Sequence, residues 1–427
     1  MNPRSTIQAA DREQVDVVLD ADFLLTATRV GTLFRAAAHG RSVVSFAYDR
    51  SWLALPEAFQ LDPNLNLHDS ESYPAGGSEG FGVFMDSAPD RWGRVLLDRR
   101  EAILARQANR TERTLTEWDY LLGVHDLCRT GALRFRRDGA SPFLDNNQAL
   151  AAPPVTSLRE LEAASAAMEE PGAADDPRFS QWLNLLLAPG SSLGGARPKA
   201  NFTARDGSLW IAKFPSRGDR RDIGAWEKLA QDLAKECGIV VPESNLLVLG
   251  SRYRTFSCQR FDRTGDRRRF FVSAMTLLER RDMASASYLD LAEFIAYNGR
   301  GSHIASDLRQ LWTRIVFNIL VSNTDDHLRN HGFIMEEGGW RLAPAYDVNP
   351  NPDKDTHALR IDARNPSSDL ALARDTAPLY GLTPQEVDRI IRAVSKVVGS
   401  WAARARELGI PRSEIEGMVR VFKVPAT

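Results

Sequence analysis

The chain has 427 residues, 43% of them hydrophobic and 26% charged, with a formal net charge of -2. That length can bury a large core in roughly two or three domains, while so small a net charge excludes bulk attraction to nucleic acid or anionic membrane and leaves only local patches or a partner for such contacts. Three scattered cysteines (Cys128, Cys237, Cys258) fit neither a disulfide framework nor a zinc motif, and "MNPRSTIQAADREQ" lacks a signal peptide's apolar stretch with no run of membrane-spanning length elsewhere, so the cytoplasm and no membrane contact are expected.

The first third reads as short strands around one strong helix. "VDVVLD", "RVGTLFRA", "SVVSFAYD" and "WLAL" are β-branched or aromatic runs suited to a small sheet. "DRWGRVLLDRREAILARQA" (90–108) has helical apolar spacing after Pro89, and "TGALRFRRDG" supplies one more strand. An Ala/Glu-rich helix, "LRELEAASAAMEE", then acts as a spacer before "PGAADDPRF", which puts a boundary near 172–178. The chain is accordingly divided into 1–172, an N-terminal subdomain with its helical spacer, 173–258, a strand-and-helix lobe that contains a Gly-rich loop, and 259–427, a largely helical lobe.

"SSLGGARPKANFT" (191–203) carries a Gly-rich loop into a strand, which turns at "RDG" into "SLWIAKFP". Gly194 and Gly195 let backbone N–H groups approach an anion, with Lys199 adding positive charge, although Gly-Gly beside Pro is also an ordinary turn. Lys213 in "LWIAKFP" is either a solvent-face lysine or one held in a cleft against an anion or carboxylate. For the second case, Glu227 on the helix "RDIGAWEKLAQDLAKECG" is the partner.

"LWTRIVFNILVS" reads as a buried amphipathic helix that runs straight into "NTDDHLRN" (323–330). Asp325 and Asn330 fit D-x-x-x-x-N, the spacing of a kinase catalytic loop, in which the Asp accepts a hydroxyl proton and the Asn holds a metal. "HGFIM", the turn "EEGG" and "WRLAPAYD" form a hairpin pattern that returns Asp347 to the side of Asn330. Carboxylate and amide oxygens of this kind suit Mg²⁺, with ATP phosphates completing its shell. His327 either shapes the turn or contacts nucleotide, since Asp325 already holds the base position. Asp326 is expected to face solvent.

In this order the motifs resemble the HipA-type serine/threonine kinases, the toxin half of bacterial toxin–antitoxin pairs. "FAYDRSWLALPEAFQLDPNLNL" and "FGVFMDSAPDRWGRVLL" resemble the family's N-terminal subdomain, and "SSLGGARPK", "WIAKFP", "CQRFDR", "NTDDHLRNHGF" and "LAPAYDVNP" its kinase core. The resemblance implies a divergent protein-kinase-like α+β fold, a β-rich N-terminal region with a mainly helical C-terminal lobe and ATP between lobes. It implies Asp325 as catalytic base, Asn330 and Asp347 as Mg²⁺ ligands, and Lys213 on the ATP phosphates. The nucleotide-binding loop is then Gly194, Gly195, Ala196, Arg197, Pro198 and Lys199. Gln259, Arg260 and Phe261 become the segment whose backbone meets adenine, and further nucleotide contacts fall on His327, Leu328, Arg329, Asn330, Tyr346 and Asp347. Ser192, beside Ser191, matches a serine that family members phosphorylate on themselves to switch the kinase off. The implied partners are a protein substrate, aminoacyl-tRNA synthetases being known targets in the family, and a DNA-binding antitoxin of the HipB type through which DNA is met indirectly. "DVN" stands where eukaryotic kinases have D-F-G. The competing readings are a small-molecule phosphotransferase of the aminoglycoside or choline kinase type, against which "VSNT" lacks that group's His-Gly-Asp start, and a catalytically silent pseudokinase acting as a co-regulator.

Overall fold

β-Branched and aromatic residues build the N-terminal sheet, and the first strand buries its last five residues in a row. Strands β1 (Arg12–Leu19), β2 (Thr28–Ala38) and β3 (Arg41–Tyr48) pair antiparallel in sequence. "WLAL" does not continue this sheet. Asp49 accepts a hydrogen bond from the Ser51 N–H and so caps a helical turn, α1 (Arg50–Leu53), which buries Trp52. The computed structural model describes residues 12–38, 41–89, 91–146, 152–187, 195, 197–280 and 286–424. Helices α2 (Gly82–Met85), α3 (Arg91–Gln107) and α4 (Glu117–Leu122) follow, and β4 (Leu133–Arg136) then closes the sheet in the order β3-β2-β1-β4.

The spacer becomes α5 (Leu158–Met168), joined through the 172–178 segment to α6 (Phe179–Leu187). Both helices share a core with α3 and the next sheet, in which Leu161, Leu183, Trp92, Phe202 and Phe214 are buried together. Buried Glu162 of α5 fastens that contact by accepting from the Gly250 and Ser251 N–H groups and the Thr255 hydroxyl. The sheet is β5 (Lys199–Thr203), β6 (Leu209–Lys213), β7 (Ser244–Leu247) and β8 (Thr255–Gln259), ordered β5-β6-β8-β7. Helix α7 (Ile223–Glu236) crosses between β6 and β7, capped by Asp222 accepting from the Ala225 N–H. It packs tightly because Gly224 has no side chain: a Cβ there would fall 2.4 Å from the Arg254 carbonyl oxygen.

A small hairpin, β9 (Arg263–Thr264) with β10 (Arg267–Arg268), leads to β11 (Phe271–Ser273), α8 (Ala274–Leu277) and α9 (Tyr288–Asn298). The expected core helix is α10 (Ile304–Val321), with Trp312, Ile315 and Leu320 fully buried. Each such side chain contributes roughly 1.5–3 kcal/mol through burial. Ser322, in the left-handed conformation (φ 49°), ends the helix. The expected hairpin follows as β12 (Gly332–Glu336) and β13 (Gly339–Leu342), joined by β11 into one sheet. Helices α11 (Leu370–Thr376), α12 (Pro384–Val398), α13 (Trp401–Glu407) and α14 (Arg412–Gly417) complete the helical end. Among the described residues no helix is long and apolar enough to cross a membrane.

Candidate active site

The register of β5 with β6 sets Lys199 opposite Lys213 at one end of the second sheet. Lys199 is buried and its Nζ donates to the Gly195 carbonyl at 3.2 Å. From the neighbouring strand, the Lys213 Nζ meets two carboxylates, Glu227 Oε1 at 2.5 Å and Asp347 Oδ1 at 2.7 Å. Of the two expectations for this lysine, Glu227 is its partner, while the neighbouring cavity is lined by Asp347 and not by Lys213. Burial works against its charge, but Asp347 and Glu227 outweigh that and push its pKa well above the ordinary lysine value. Burial likewise works against the Asp347 carboxylate, and Lys213 reverses it, so Asp347 stays ionised below the usual range.

The hairpin returns the chain as its pattern implied. Asp347 and Asn330 line one cavity of about 1100 Å³ together with Asp325, His327, Arg329, Tyr346 and Gly195. Asp347 holds a left-handed backbone (φ 57°), a conformation costly for a residue with a Cβ and tolerated here between fixed neighbours. The Asn330 side-chain amide donates to the Asp325 carbonyl at 3.3 Å, so its side-chain oxygen is not used in that bond. Asp325 is exposed, and one of its oxygens takes the Lys354 ammonium at 2.6 Å. Tyr346 donates its hydroxyl to the Arg329 carbonyl at 2.8 Å and stacks on Phe261 at a 5.4 Å ring separation.

Other expected site residues sit further back. Arg197 is committed to Asp219, with Nη1 at 2.9 Å from Oδ1, and Pro198 serves through its carbonyl, which accepts the Phe214 N–H. Leu328 is fully buried beneath the loop. Gln259 ends β8. Arg260 turns its side chain away from the cavity into a buried cluster with Asp262 and Asn201. Neither Arg260 nor Phe261 is on the cavity wall. Ser192, Gly194 and Ala196, with Ser191, lie outside the described residues.

One expectation is overturned. Asp326 does not face solvent: it is 4% exposed, and one of its oxygens accepts from Tyr288 Oη (2.5 Å), Asn318 Nδ2 (2.9 Å) and His331 Nε2 (2.8 Å). A carboxylate can be buried there because three donors replace water. Lys354, which pairs with Asp325, is a residue for which "NPNPDKD" offers no signal. For Asp326 the signal was a histidine five residues on, one step out of phase with the Asp325–Asn330 pair.

The opposite cavity wall comes from the N-terminal region, with Asp62, Phe81, Met85, Asp86 and Arg91. Asp86 accepts from the Ser273 N–H and hydroxyl, both at 2.8 Å, and so ties α2 to β11. Burial, with nearby Asp62 adding to it, raises its pKa to about 6 despite those bonds.

Comparison with known proteins gives a consistent pattern. The family model of the HipA-like C-terminal domain matches residues 191–401, and that of the HipA N-terminal domain matches 21–116. A "putative kinase" of Haemophilus influenzae is 28% identical over 190 residues, covering 38% of this chain and 54% of that protein. "Toxin YjjJ" of Escherichia coli K12 is 25% identical over 172 residues, covering 38% of each. The chain thus spans about half or less of the length of these curated relatives. A solved Shewanella oneidensis MR-1 structure, of toxin–antitoxin HipA, HipB and its operator DNA, superposes with a TM-score of 0.64 at 17% identity, covering 95% of this chain and 94% of that one.

Proposed function

The chain belongs to the HipA family and has its divergent protein-kinase-like α+β fold; on that premise we propose that it is a toxin kinase, transferring the ATP γ-phosphate to a serine or threonine of a protein. The observation that carries the reading is the meeting of Lys213, Glu227 and Asp347, drawn from a strand, a helix and the segment after a returning hairpin, with Asp347 lining the same cavity as Asp325 and Asn330. Phosphoryl transfer requires concentrated negative charge to be held and one hydroxyl proton to be removed, and little else. Glu227 fixes the Lys213 ammonium for the phosphates. Asp325, the exposed carboxylate, accepts the acceptor's hydroxyl proton.

Mg²⁺ fits the donor set. Among the described residues no group of three or more His, Cys, Asp or Glu makes a complete metal site, and a carboxylate and an amide that leave the remaining positions to phosphate oxygens and water are what Mg²⁺ favours. Asn330 and Asp347 would hold it, and when bound it would neutralise phosphate charge. The cavity of about 1100 Å³ continues past the catalytic loop to the N-terminal wall, leaving room for a polypeptide segment beside a nucleotide.

The finer parts of the reading rest on the family. Ser192 is the self-inhibitory site, where a phosphoserine of about -1.5 to -2 charges would repel the ATP phosphates. A HipB-like antitoxin restrains the kinase and carries it to DNA, in keeping with a net charge of -2. The protein acts in the cytoplasm. Incubation with labelled ATP and Mg²⁺, with and without cell extract, tests the kinase reading itself. Label should enter the protein itself and a discrete protein band, and Asp325→Asn should abolish both. Label appearing only in small molecules, or nowhere, overturns the reading.

A further inference from the structure

The loop that runs from Asp325 to Asn330 has a second pair one residue out of step with the first. Asp325 and Asn330 are the pair proposed for chemistry, five residues apart. Asp326 and His331 are also five apart, and the His331 Nε2 lies 2.8 Å from Asp326 Oδ2. The two pairs differ in exposure: the Asp325 side chain is 59% accessible, that of Asp326 5% and that of His331 3%. The inner pair therefore closes the loop on itself beneath the outer pair.

The closure is anchored on three sides. Tyr288 of α9 and Asn318 of α10 donate to the same Asp326 oxygen. The Tyr288 ring also meets His331 edge to face, at 5.8 Å and 86°. Asn318 accepts from Asn323 Nδ2 at 3.1 Å, and the Asn323 side-chain oxygen accepts the Asn349 N–H at 3.3 Å, two residues beyond Asp347. One hydrogen-bonded network thus reaches both halves of the cavity's polar rim, the catalytic loop and the segment that carries Asp347.

We propose that the Asp326–His331 pair is a clasp that sets the separation of Asp325 from Asn330 and their place relative to Asp347, making both of its members positioning residues for the transfer proposed above. Each clasp residue is covalently next to one outer residue, so a closed clasp restricts how far the outer pair can separate. Reacting groups displaced by about 1 Å lose on the order of a hundredfold in rate, which gives the clasp its leverage. The idea rests on the kinase reading for its consequence, but the clasp itself can be tested without turnover.

The test uses the full chain. His331→Leu removes the donor, and His331→Gln keeps an N–H at similar reach. Asp326→Asn keeps the acceptor oxygen without charge and serves if His331→Leu does not fold. Amide hydrogen exchange of the peptide 323–331, metal-free and Mg²⁺-dependent ATP binding, and phosphoryl transfer are measured for each. His331→Leu should speed exchange in that peptide and cut transfer by about a hundredfold, while metal-free ATP binding stays near wild type. His331→Gln should restore most of the rate, and Asp326→Asn should fall between. Unchanged exchange in His331→Leu, or equal losses in the Leu and Gln variants, overturns the clasp. A wild type that transfers no phosphate overturns the kinase reading instead, and the exchange data then still decide the clasp.

Discussion

Asp262 and Asp347 are both carboxylates set against buried cations, and they are completed differently. Asp262 takes Arg260 Nε at 2.9 Å and Nη2 at 2.5 Å, Arg263 Nη1 at 2.8 Å and the Gly131 N–H at 2.8 Å, with its side chain 1% exposed. Arg260 adds the Cys128 and Arg129 carbonyls and the Asn201 amide oxygen, so every charge in that cluster is surrounded. Asp347 takes the Lys213 ammonium alone among the described side chains, and remains 35% exposed on the cavity side. The saturated cluster bolts the segment between the lobes to the N-terminal region and has nothing left to offer a ligand. The open one keeps an oxygen in reserve, at the expense of a left-handed backbone. Charge burial alone does not mark a site; incomplete pairing at a cavity does.

The strongest way to break this contrast is to remove both carboxylates in turn. Asp347→Ala should reduce phosphoryl transfer by about a thousandfold, the several kcal/mol expected of a lost metal ligand. Its thermal stability should stay close to wild type, because Lys213 keeps Glu227. Asp262→Ala should do the reverse, losing about 3–5 kcal/mol of stability by leaving Arg260 and Arg263 buried without their counter-ion. Urea unfolding and labelled-ATP transfer on both variants decide the matter. If both lose activity and stability in the same proportion, the division into closed and open clusters is wrong.

How much of this was legible in the sequence depends on distance along the chain. Helix α10, the hairpin after it and the Lys213–Glu227 pairing could be read because each follows from local periodicity or from one short return of the chain. Asp262 and Arg260 lay inside "CQRFDR", read for its backbone. Their side chains are set by Cys128, Arg129 and Gly131, some 130 residues away, and no local pattern reports that. Asp326 is a mixed case: His331, five residues on, was a local signal, but Tyr288 and Asn318, which complete its burial, come from helices and no loop periodicity marks an inward side chain. "WLAL" failed locally, since a capping Asp49 outweighed strand-like composition.

Asp86 stands between the two extremes, hydrogen-bonded like Asp262 yet on the cavity wall like Asp347, and sharpens the contrast through pH. Its folded pKa of about 6 lies above the ordinary 3.8, so the folded protein prefers the protonated acid. That preference contributes fully below the unfolded value and is lost as pH rises through the folded one. Over that window the contribution amounts to roughly 3 kcal/mol at most. Wild type should therefore lose stability relative to Asp86→Asn between about pH 4 and pH 7, measured by urea unfolding at both ends. Parallel pH profiles for the two proteins would show that Asp86 is paired as completely as Asp262.

The smallest effect is expected at Lys354, whose pairing with Asp325 joins two half-exposed side chains, 54% and 59% accessible. Exposed pairs of this kind contribute about 0–1 kcal/mol and weaken with salt. If Asp325 is the base proposed above, Lys354 sits on a carboxylate that the acceptor hydroxyl would use, and the two compete for it. Because the pair is weak, displacing it adds little to the barrier, and its removal should act on acceptor binding more than on the transfer step. Lys354→Ala should lower the acceptor KM by no more than about fivefold, the equivalent of 1 kcal/mol, with kcat nearly unchanged. Added salt should move the wild type in the same direction and leave the variant unaffected. A kcat loss of orders of magnitude would instead make Lys354 a partner in transfer itself, and the open cluster would then extend from Asp347 through Asp325 to the segment that follows the hairpin.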